Sequence, residues 1–348
     1  MIPTISTRHV NVTKPQSAGT IRRLFTKLDG DNYVLEMDWS SIDNFLTCWK
    51  KSEYALVFSR TTGRTAALTY GTAYHLALEQ YYRGERDIEK LLAAAQPEFD
   101  TNPPALDEYR NPEFLRKSLT EYIEKYSKED SFLIQTMDGA PMIEQPFATP
   151  LCELVIKDWI PYNATMLLRD EDGAKIVKGK LYVDTIFVQW TGVIDILAAD
   201  GSEKWPVVID HKTTSVGGPT YYDQFDLAQQ FRGYCWAAGK IMEQPVTHAM
   251  ANVIEGRKET KTGKSRDYQR KWINYTTEQV ERWQIDMTAI VTDLVSKLRT
   301  GHFPENTHSC VGKFGKCDFF DVCRLPENMR QTMLQSASFT NNVWNPLQ

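Results

Sequence analysis

The stretch Val207-Val208-Ile209-Asp210-His211-Lys212 is an apolar run that ends in a carboxylate and an ammonium group. Its β-branched residues predict a buried strand. Side chains alternate along a strand, so Asp210 and Lys212 are expected on one face and His211 on the other. A carboxylate can hold a hard divalent cation, and a lysine beside it can orient a water. Taken alone, however, the Asp-x-Lys pattern is explained more simply by a surface ion pair.

A second carboxylate, Asp195, lies in the preceding apolar run, residues 191–199, and the turn Asp200-Gly201-Ser202 predicts that the two runs form a hairpin. A carboxylate in an apolar strand is costly unless it is paired or binds a cation. The hairpin lets Asp195 approach Asp210, and two adjacent carboxylates repel each other unless a cation lies between them. A solvated aspartate on an edge strand is the alternative.

The runs around this hairpin predict the fold class. Short β-rich runs fill residues 142–212, and two more strands are expected near 247–255 and 271–276. Helical spacing of apolar residues is found near 41–49, 65–83, 223–241 and 277–299, and further helices between 85 and 130 are broken at Asn102 and Asn111. We therefore predict an α/β fold, with a mixed central sheet flanked by helices and a helical insertion.

The charge of the chain limits how it could bind nucleic acid. It has 348 residues and a formal net charge of −5, so phosphate could be bound only through local basic patches. Residues 257–271 form the most concentrated patch, with seven basic and two acidic side chains. Tyr268 and Trp272 could stack bases beside it. A solvated loop is the alternative.

The location expected for the chain follows from what its sequence lacks. No run approaches the roughly 18 apolar residues of a membrane helix. The first residues, MIPTISTRHV, lack the apolar core of a signal peptide. We therefore expect a cytoplasmic protein, and in a reducing compartment spaced cysteines more often bind metal than form disulfides.

Two further patterns lie on predicted helices. Gly71 and His75 are four residues apart and share one helix face, from which His75 could offer its imidazole to a metal. A histidine with an ordinary core or surface role is the commoner case. Gln230 and Tyr234 are also four apart, on the helix after the Asp-x-Lys strand. Their amide and phenol could hold a phosphate or a nucleic-acid strand.

Together and in this order, these motifs resemble the RecB-like exonuclease branch of the PD-(D/E)XK nuclease superfamily, which includes CRISPR-associated and phage-encoded members. The resemblance covers residues 40–325 and implies a restriction-endonuclease-like core. The matching segments are Gly71 to His75 for G-x-x-x-H, Gly192 to Asp195 for G-x-x-D, Asp210 to Lys212 for D/E-x-K, and Gln230 to Tyr234 for Q-x-x-x-Y. Glu144 fits the family's glutamate on the strand before G-x-x-D, although an ordinary polar strand residue is an equal alternative.

The resemblance implies a DNA exonuclease that acts in recombination, repair or phage DNA processing, and a recombination or helicase protein is its candidate partner. A phage-encoded chain would act in the host cytoplasm. A Mg²⁺ or Mn²⁺ ion would be held by His75, Asp195, Asp210 and the carbonyl of His211. Lys212 would position or deprotonate the attacking water, and Gln230 and Tyr234 would steady the DNA strand. Glu144 would join the catalytic residues.

The cysteines predict a second metal site. Cys310, Cys317 and Cys323 cluster in a segment with little apolar periodicity, and a closed site with four thiolates needs one more. Cys48 is the best candidate, because its setting resembles that of iron–sulfur RecB-like nucleases, in which one cysteine before the nuclease core and three after it hold a [4Fe–4S] cluster. Zn²⁺ is the alternative. The two other cysteines have apolar contexts and are expected to be inert: Cys152 and Cys235.

These assignments predict a domain organisation: a basic N-terminal arm (1–39), a single nuclease domain (40–325, with its helical part at 85–130 and its cluster segment at 301–325) and a C-terminal tail (326–348). Two other functions fit the motifs. One is a non-catalytic iron–sulfur DNA-binding or adaptor subunit on a nuclease scaffold, against which the intact catalytic motifs argue. The other is a zinc-stapled α/β protein whose carboxylates form ordinary ion pairs.

Overall fold

The computed structural model describes eight segments of the chain: residues 23–106, 108–127, 132–137, 140–168, 173–199, 205–258, 266–312 and 315–341. The chain divides into two compact units. Unit 1 comprises residues 1–63, 146–192 and 284–348, and unit 2 comprises residues 64–145 and 193–283. Every predicted catalytic residue lies in unit 2, and the four predicted cluster cysteines lie in unit 1. The single domain expected over residues 40–325 stays a prediction.

The longer elements are numbered in chain order. The strands are β1 (Phe25–Lys27), β2 (Asn32–Met37), β3 (Ile143–Asn163), β4 (Lys180–Ala199), β5 (Pro206–Thr214), β6 (His248–Gly256) and β7 (Arg266–Asn274). The helices are α1 (Trp39–Thr47), α2 (Trp49–Ser52), α3 (Ala66–Tyr82), α4 (Ile88–Thr101), α5 (Pro112–Tyr126), α6 (Ala164–Leu167), α7 (Pro219–Asp223), α8 (Gln229–Ile241), α9 (Thr277–Thr300), α10 (Phe320–Cys323) and α11 (Glu327–Leu334).

Shorter elements connect these. Two-residue strands occur at Arg60–Thr61, Leu133–Ile134, Thr136–Met137, Ala140–Pro141, Ile176–Val177, Val311–Gly312, Gly315–Lys316 and Thr340–Asn341. A π-helical turn spans Glu53–Val57, and 3₁₀ turns span Gln224–Leu227 and Thr307–Ser309. None of the described helices is both long enough and apolar enough to cross a membrane.

The sheet of unit 2 is mixed. The end of β4 pairs antiparallel with β5 in a register that sets Ile196 opposite Ile209. Strand β5 pairs parallel with β6, and β6 pairs antiparallel with β7. Helices α3 and α8 both pack against β5. The His211 ring stacks on Tyr82 of α3, while Lys212 lies over a ring of α8. The predicted fold class, a mixed sheet flanked by helices, is therefore confirmed, as is the alternation along β5.

The helical part of unit 2 forms its own core against the sheet. Thr65 caps α3 by accepting a hydrogen bond from the Leu68 amide, and Asn111 caps α5 in the same way at Phe114. Helix α4 ends at Thr101, just before the break predicted at Asn102. The buried faces of these helices are rich in tyrosine and leucine: Tyr70, Tyr74, Leu78, Tyr81, Leu91, Phe99, Leu115, Leu119, Tyr122 and Tyr126. Burying each such side chain contributes about 1.5–3 kcal/mol.

Unit 1 begins with two strands that the sequence did not reveal. β1 pairs antiparallel with β2, and β2 pairs parallel with residues 185–190 of β4. Phe25, Tyr33 and Leu35 are buried. The segment predicted as a basic arm is therefore folded from Phe25 onward, and its residues 1–22 lie outside the described part of the chain. At the other end, helix α11 and buried Phe339 fall within the predicted C-terminal tail.

Candidate active site

Three side chains from three elements of unit 2 converge on one point. His75 lies on α3, Glu144 at the start of β3 and Asp195 on β4. One potential ligand atom of each lies within 4.8 Å of those of the other two. His75 Nδ1 is 3.5 Å from Asp195 Oδ2 and 3.6 Å from Glu144 Oε1. An imidazole and two carboxylates at this spacing could hold one divalent cation.

Asp195 is held in place by the neighbouring strand. Ile196 lies opposite Ile209 in the antiparallel pair. Asp195 and Asp210 are the next residues in this register, so both lie at the same end of the paired segment. The carboxylate of Asp195 is buried and its Oδ2 accepts a 2.6 Å hydrogen bond from the His211 amide. Burial raises the pKa of Asp195, and the charges of Asp210 and Glu144 raise it further, against the opposing effect of His75. The carboxylates therefore crowd negative charge into a buried site, as the sequence predicts.

Both nitrogens of His75 face oxygen atoms. Nδ1 faces the two carboxylates, and Nε2 donates to the His211 carbonyl oxygen at 3.0 Å. Burial alone would lower the pKa of His75, but Asp195 and Glu144 outweigh it and raise the pKa to about 9. The imidazolium thus carries the positive charge that these oxygens share. The carbonyl of His211, predicted as a metal ligand, borders the site through its hydrogen bond with His75.

Asp210 and Lys212 form an ion pair beside this group. Lys212 Nζ lies 2.6 Å from Asp210 Oδ2, yet that buried oxygen has no well-directed hydrogen bond within the described residues. Burial lowers the pKa of Lys212, but Asp210 outweighs it and raises the pKa, so Lys212 is an ammonium. Its Nζ also lies 5.9 Å from the centre of the buried Phe231 ring. The pair is partly enclosed and is not the surface ion pair considered as the alternative.

Glu144 reaches the group through an unusual backbone conformation. Its φ is 48°, in the left-handed region that residues with a side chain rarely adopt. Hydrogen bonds to the two preceding residues hold this segment, because Arg83 Nη2 donates to the Ile143 carbonyl and the Leu197 amide donates to the Met142 carbonyl, both at 3.0 Å. Strained backbone of this kind is often found at functional sites. Glu144 belongs to the group of three, whereas the sequence placed Asp210 among the metal ligands and Glu144 only among the catalytic residues.

The predicted DNA-contacting pair lies on α8. Gln230 Nε2 donates to Tyr234 Oη at 3.1 Å, so the two side chains contact each other as their spacing predicts. Phe231 of the same helix contacts Lys212, which brings α8 to the Asp210–Lys212 pair. No contact recorded among the described residues joins Gln230 or Tyr234 directly to the carboxylates.

Two buried polar residues near the site were missed by the sequence reasoning. The side chain of His211, expected only to contribute its carbonyl, is buried and within 2.8 Å of Asn252 Nδ2. Asn252 also donates to Tyr122 Oη at 2.7 Å. The signal was available, because both residues are polar positions inside otherwise apolar strands, where an unbonded side chain is costly.

The basic stretch 257–271 differs from its prediction. Arg266 binds Glu121 through Nε and Nη2, Arg257 pairs with Glu255, and Lys271 pairs with Asp226. Much of its charge is thus neutralised, while Lys261 and Lys264 lie outside the described residues. Tyr268 is buried and its Oη donates to the Ser118 carbonyl at 2.9 Å, so it cannot stack on a base. Trp272 is 42% exposed and keeps that possibility.

The four predicted cluster cysteines, all in unit 1, are free thiols. Cys48 Sγ accepts a hydrogen bond from the Asn306 amide at 3.2 Å, and Cys310 Sγ lies 3.8 Å from the Asn306 carbonyl oxygen. Burial and the neighbouring thiols raise the pKa of Cys310, and burial together with Glu305 raises that of Cys323 to about 11. All four thiols lie in the described chain, and no three of them come within 4.8 Å of one another. A tetrahedral zinc site with bonds of 2.3 Å requires sulfurs about 3.8 Å apart.

The site combines an imidazole from a helix with three carboxylates and a lysine from strands, which is the set of groups found in metal-dependent hydrolases. The sequence model of the PD-(D/E)XK nuclease superfamily matches residues 39–324, and the chain therefore belongs to this superfamily of metal-dependent nucleases. Among solved structures, the crystal structure of a "Putative exonuclease" from Eubacterium rectale is similar, with 12% identity and a TM-score of 0.40 over 85% of this chain and 92% of that one. No curated protein matches the sequence.

Proposed function

We propose that this protein is a Mg²⁺- or Mn²⁺-dependent DNA exonuclease whose active site is the strand end of unit 2. The observation that supports this most directly is the convergence of His75, Glu144 and Asp195 within 4.8 Å, in a chain of the PD-(D/E)XK superfamily. The Asp210–Lys212 ion pair at the end of β5 adds the lysine that this chemistry needs. The alternative interpretation, in which these carboxylates form ordinary ion pairs, does not explain why three acidic side chains share one largely buried site.

The donor set fits a hard divalent cation. His75, Asp195, Asp210 and the His211 carbonyl would hold the ion, and we add Glu144 because its carboxylate faces the same point. Burial and the charges of Asp210 and Glu144 raise the pKa of Asp195, and a cation between these carboxylates would relieve their repulsion. A bound ion would polarise the scissile phosphate and lower the pKa of a water.

The chain's own groups supply the remaining chemistry. As an ammonium, Lys212 can donate hydrogen bonds to the attacking water or to a phosphate oxygen and offset negative charge there. The buried Phe231 ring and Asp210 limit the directions in which its Nζ can point. Gln230 and Tyr234 present an amide and a phenol from α8, which can hold the backbone of the DNA strand in line with Lys212.

Exonuclease action on DNA ends, within recombination, repair or phage DNA processing, rests on the resemblance of the ordered motifs to the RecB-like branch. The same resemblance leads us to propose a [4Fe–4S] cluster on Cys48, Cys310, Cys317 and Cys323. Zn²⁺ at the same four thiolates is the alternative. Six free cysteines suit the cytoplasm, where thiols stay reduced, and we place the protein there.

The test is a time course on end-labelled single- and double-stranded DNA with Mg²⁺ or Mn²⁺. Lys212→Ala and Asp210→Ala should each abolish degradation, whereas Lys117→Ala and Asp226→Ala remove the same residue types from exposed ion pairs of unit 2 and should leave it intact. Equal degradation by wild type and both site variants would contradict the active-site assignment. If the wild-type protein binds DNA but does not degrade it, the result would support the adaptor function instead.

A further inference from the structure

The backbone amide and carbonyl of His211 are both held by residues of the metal group, which comprises His75, Glu144 and Asp195. Its amide donates to Asp195 Oδ2 at 2.6 Å, and its carbonyl accepts from His75 Nε2 at 3.0 Å. The residue between Asp210 and Lys212 therefore contributes through its main chain, and the direction of its carbonyl sets one potential ligand. Whatever fixes the orientation of His211 also fixes the geometry of the site.

The side chain of His211 is fixed from the opposite face of the strand. Asn252 is its direct neighbour in the parallel pair β5–β6, and Asn252 Nδ2 lies 2.8 Å from His211 Nδ1. An amide nitrogen can only donate, so His211 Nδ1 accepts this hydrogen bond. The ring also stacks on Tyr82, with centroids 5.6 Å apart and planes at 19°.

A chain of hydrogen bonds continues from Asn252 into the helical part of unit 2. The amide donates to Tyr122 Oη of α5 at 2.7 Å, and Tyr122 Oη lies 2.8 Å from Tyr82 Oη of α3. Arg270 Nη2 of β7 is 3.2 Å from Tyr82 Oη. Asn252 is completely buried, and its amide nitrogen joins the catalytic strand to this network. Asn252 Oδ1 has no hydrogen-bond partner among the described residues, so the network holds this side chain through its nitrogen. Buried hydrogen bonds of this kind restrict the conformations of the groups that they join.

We propose that Asn252 is a positioning residue, which holds the His211 side chain and thereby directs the His211 carbonyl and amide toward the metal group. This inference rests on the proposed function, because it assigns Asn252 a role in metal affinity. Asn252 touches neither the reacting atoms nor any carboxylate of the group, so its effect passes through His211. The helical part of unit 2 then serves to anchor the catalytic strand as well as to cover the sheet.

The alternative role for Asn252 is stability alone, and the chain offers a matched control. Ile254 lies two residues further along β6, on the same face, and is buried in the core of the helical part. Ile254→Ala removes packing from that face without touching the network. Asn252→Leu removes the hydrogen bonds while keeping similar volume. Both variants lose stability, but only the second frees His211.

The experiment is a calorimetric titration of the full-length protein with Mn²⁺ in the absence of DNA. Asn252→Leu should raise the Mn²⁺ dissociation constant about 10-fold or more, the size of effect typical for residues that orient metal ligands. Ile254→Ala should leave it within about twofold, since no ligand-orienting contact is lost. In a His211→Phe background, Asn252→Leu should have no further effect, because its action requires the imidazole.

Equal weakening by Asn252→Leu and Ile254→Ala, or no weakening by Asn252→Leu, would overturn the positioning role. A full additional loss in the His211→Phe background would overturn it as well. If Asn252→Leu does not fold, Tyr122→Phe breaks the next link and should still weaken Mn²⁺ binding, and unchanged affinity there counts against the inference. A wild type that binds no Mn²⁺, or an Asp195→Asn variant that binds it normally, would instead contradict the proposed function itself.

Discussion

The sequence predicts two metal sites, and the structure treats their ligands differently. In unit 2, His75, Glu144 and Asp195 already lie at distances that suit one cation. In unit 1, Cys48 and the three later cysteines lie in one region but no three sulfurs meet that distance. The two predicted sites lie in different units, so the elements that carry their ligands can be compared directly.

The elements explain the difference. His75 lies on a 17-residue helix, and Asp195 and Asp210 lie on paired strands whose hydrogen bonds fix the backbone. The cysteines lie at helix ends or in short elements: Cys48 separates α1 from α2, Cys310 follows a three-residue turn, and Cys323 ends a four-residue helix. Ligands on long, paired elements are positioned by the fold, whereas ligands on short elements depend more on the group they bind.

Asp195→Asn, which changes one side chain of the pre-formed site in unit 2, should have the largest effect of the variants in this comparison. The change removes the charge that faces His75 and leaves the strand register intact, so we expect DNA cleavage to fall about 10³-fold, equivalent to several kcal/mol of lost stabilisation. Initial rates with Mn²⁺ on end-labelled DNA measure this. Asp184→Asn, on the same strand, should retain the wild-type rate, and an Asp195→Asn rate above a tenth of wild type would remove Asp195 from the site.

Cys323→Ala tests the other side of the comparison. If the four thiolates bind one [4Fe–4S] cluster, deleting one sulfur should reduce iron from about four atoms per chain to well below one and remove the absorption near 400 nm. Cys152→Ala deletes a sulfur from a buried thiol of the same unit and should leave both unchanged. Colourless wild-type protein with stoichiometric zinc would show that the sulfurs close around a single ion.

Local pattern predicted those parts of unit 2 that depend on neighbours in the chain. The alternation along β5 and the four-residue spacing on α3 and α8 gave the faces of Lys212, His75 and Tyr234, because such spacing is a property of regular backbone. The predicted hairpin then brought Asp195 to Asp210, in agreement with the antiparallel pairing of the two strands. Strand β1 was missed because three residues are too few for periodicity to reveal, and β2 was missed because most of its buried residues are consecutive and do not alternate with polar ones.

Long-range contacts account for the remaining differences. Arg266 and Tyr268 appeared available for DNA because nothing near them in the sequence neutralises or buries them, yet Glu121 and Ser118 do so from about 145 to 150 residues away. Glu144 reaches the metal group through a left-handed backbone conformation, which the residue pattern does not predict. These are tertiary effects that override local preference.

The pH dependence of ion binding offers a finer test of the pre-formed site. Carboxylates raise the pKa of His75 to about 9, so below that pH a proton competes with a cation for the imidazole. The Mn²⁺ affinity should therefore rise about tenfold per pH unit between roughly pH 7.5 and 8.5. Calorimetry across that range measures the slope. His75→Gln removes the titrating imidazole and should flatten the slope of affinity against pH, while Asp195, Glu144 and Asp210 remain. An unchanged slope would exclude His75 as a ligand.

The smallest expected effect concerns how closely α3 approaches β5. A methyl group on Gly71 would lie 3.0 Å from Thr213 Oγ1, one residue beyond Lys212, and His75 lies one helical turn further along the same face. Alanine within a helix is otherwise about 1 kcal/mol more stable than glycine. Gly71→Ala should therefore stabilise a Thr213→Ala background by about that amount but give no gain in the wild type, where the hydroxyl blocks it.

Urea unfolding of the four proteins in this cycle measures the coupling. A coupling of about 1 kcal/mol would show that the space at Gly71 is set by β5, and Mn²⁺ affinity should follow the same pattern, because the helix that moves carries His75. Equal stabilisation in both backgrounds would mean that α3 can shift freely against the strand. The 3.0 Å contact between His75 Nε2 and the His211 carbonyl would then be maintained by the His75 side chain and not by the close approach of helix and strand. In that case the long elements of unit 2 would position their ligands no better than the short elements of unit 1 position the cysteines.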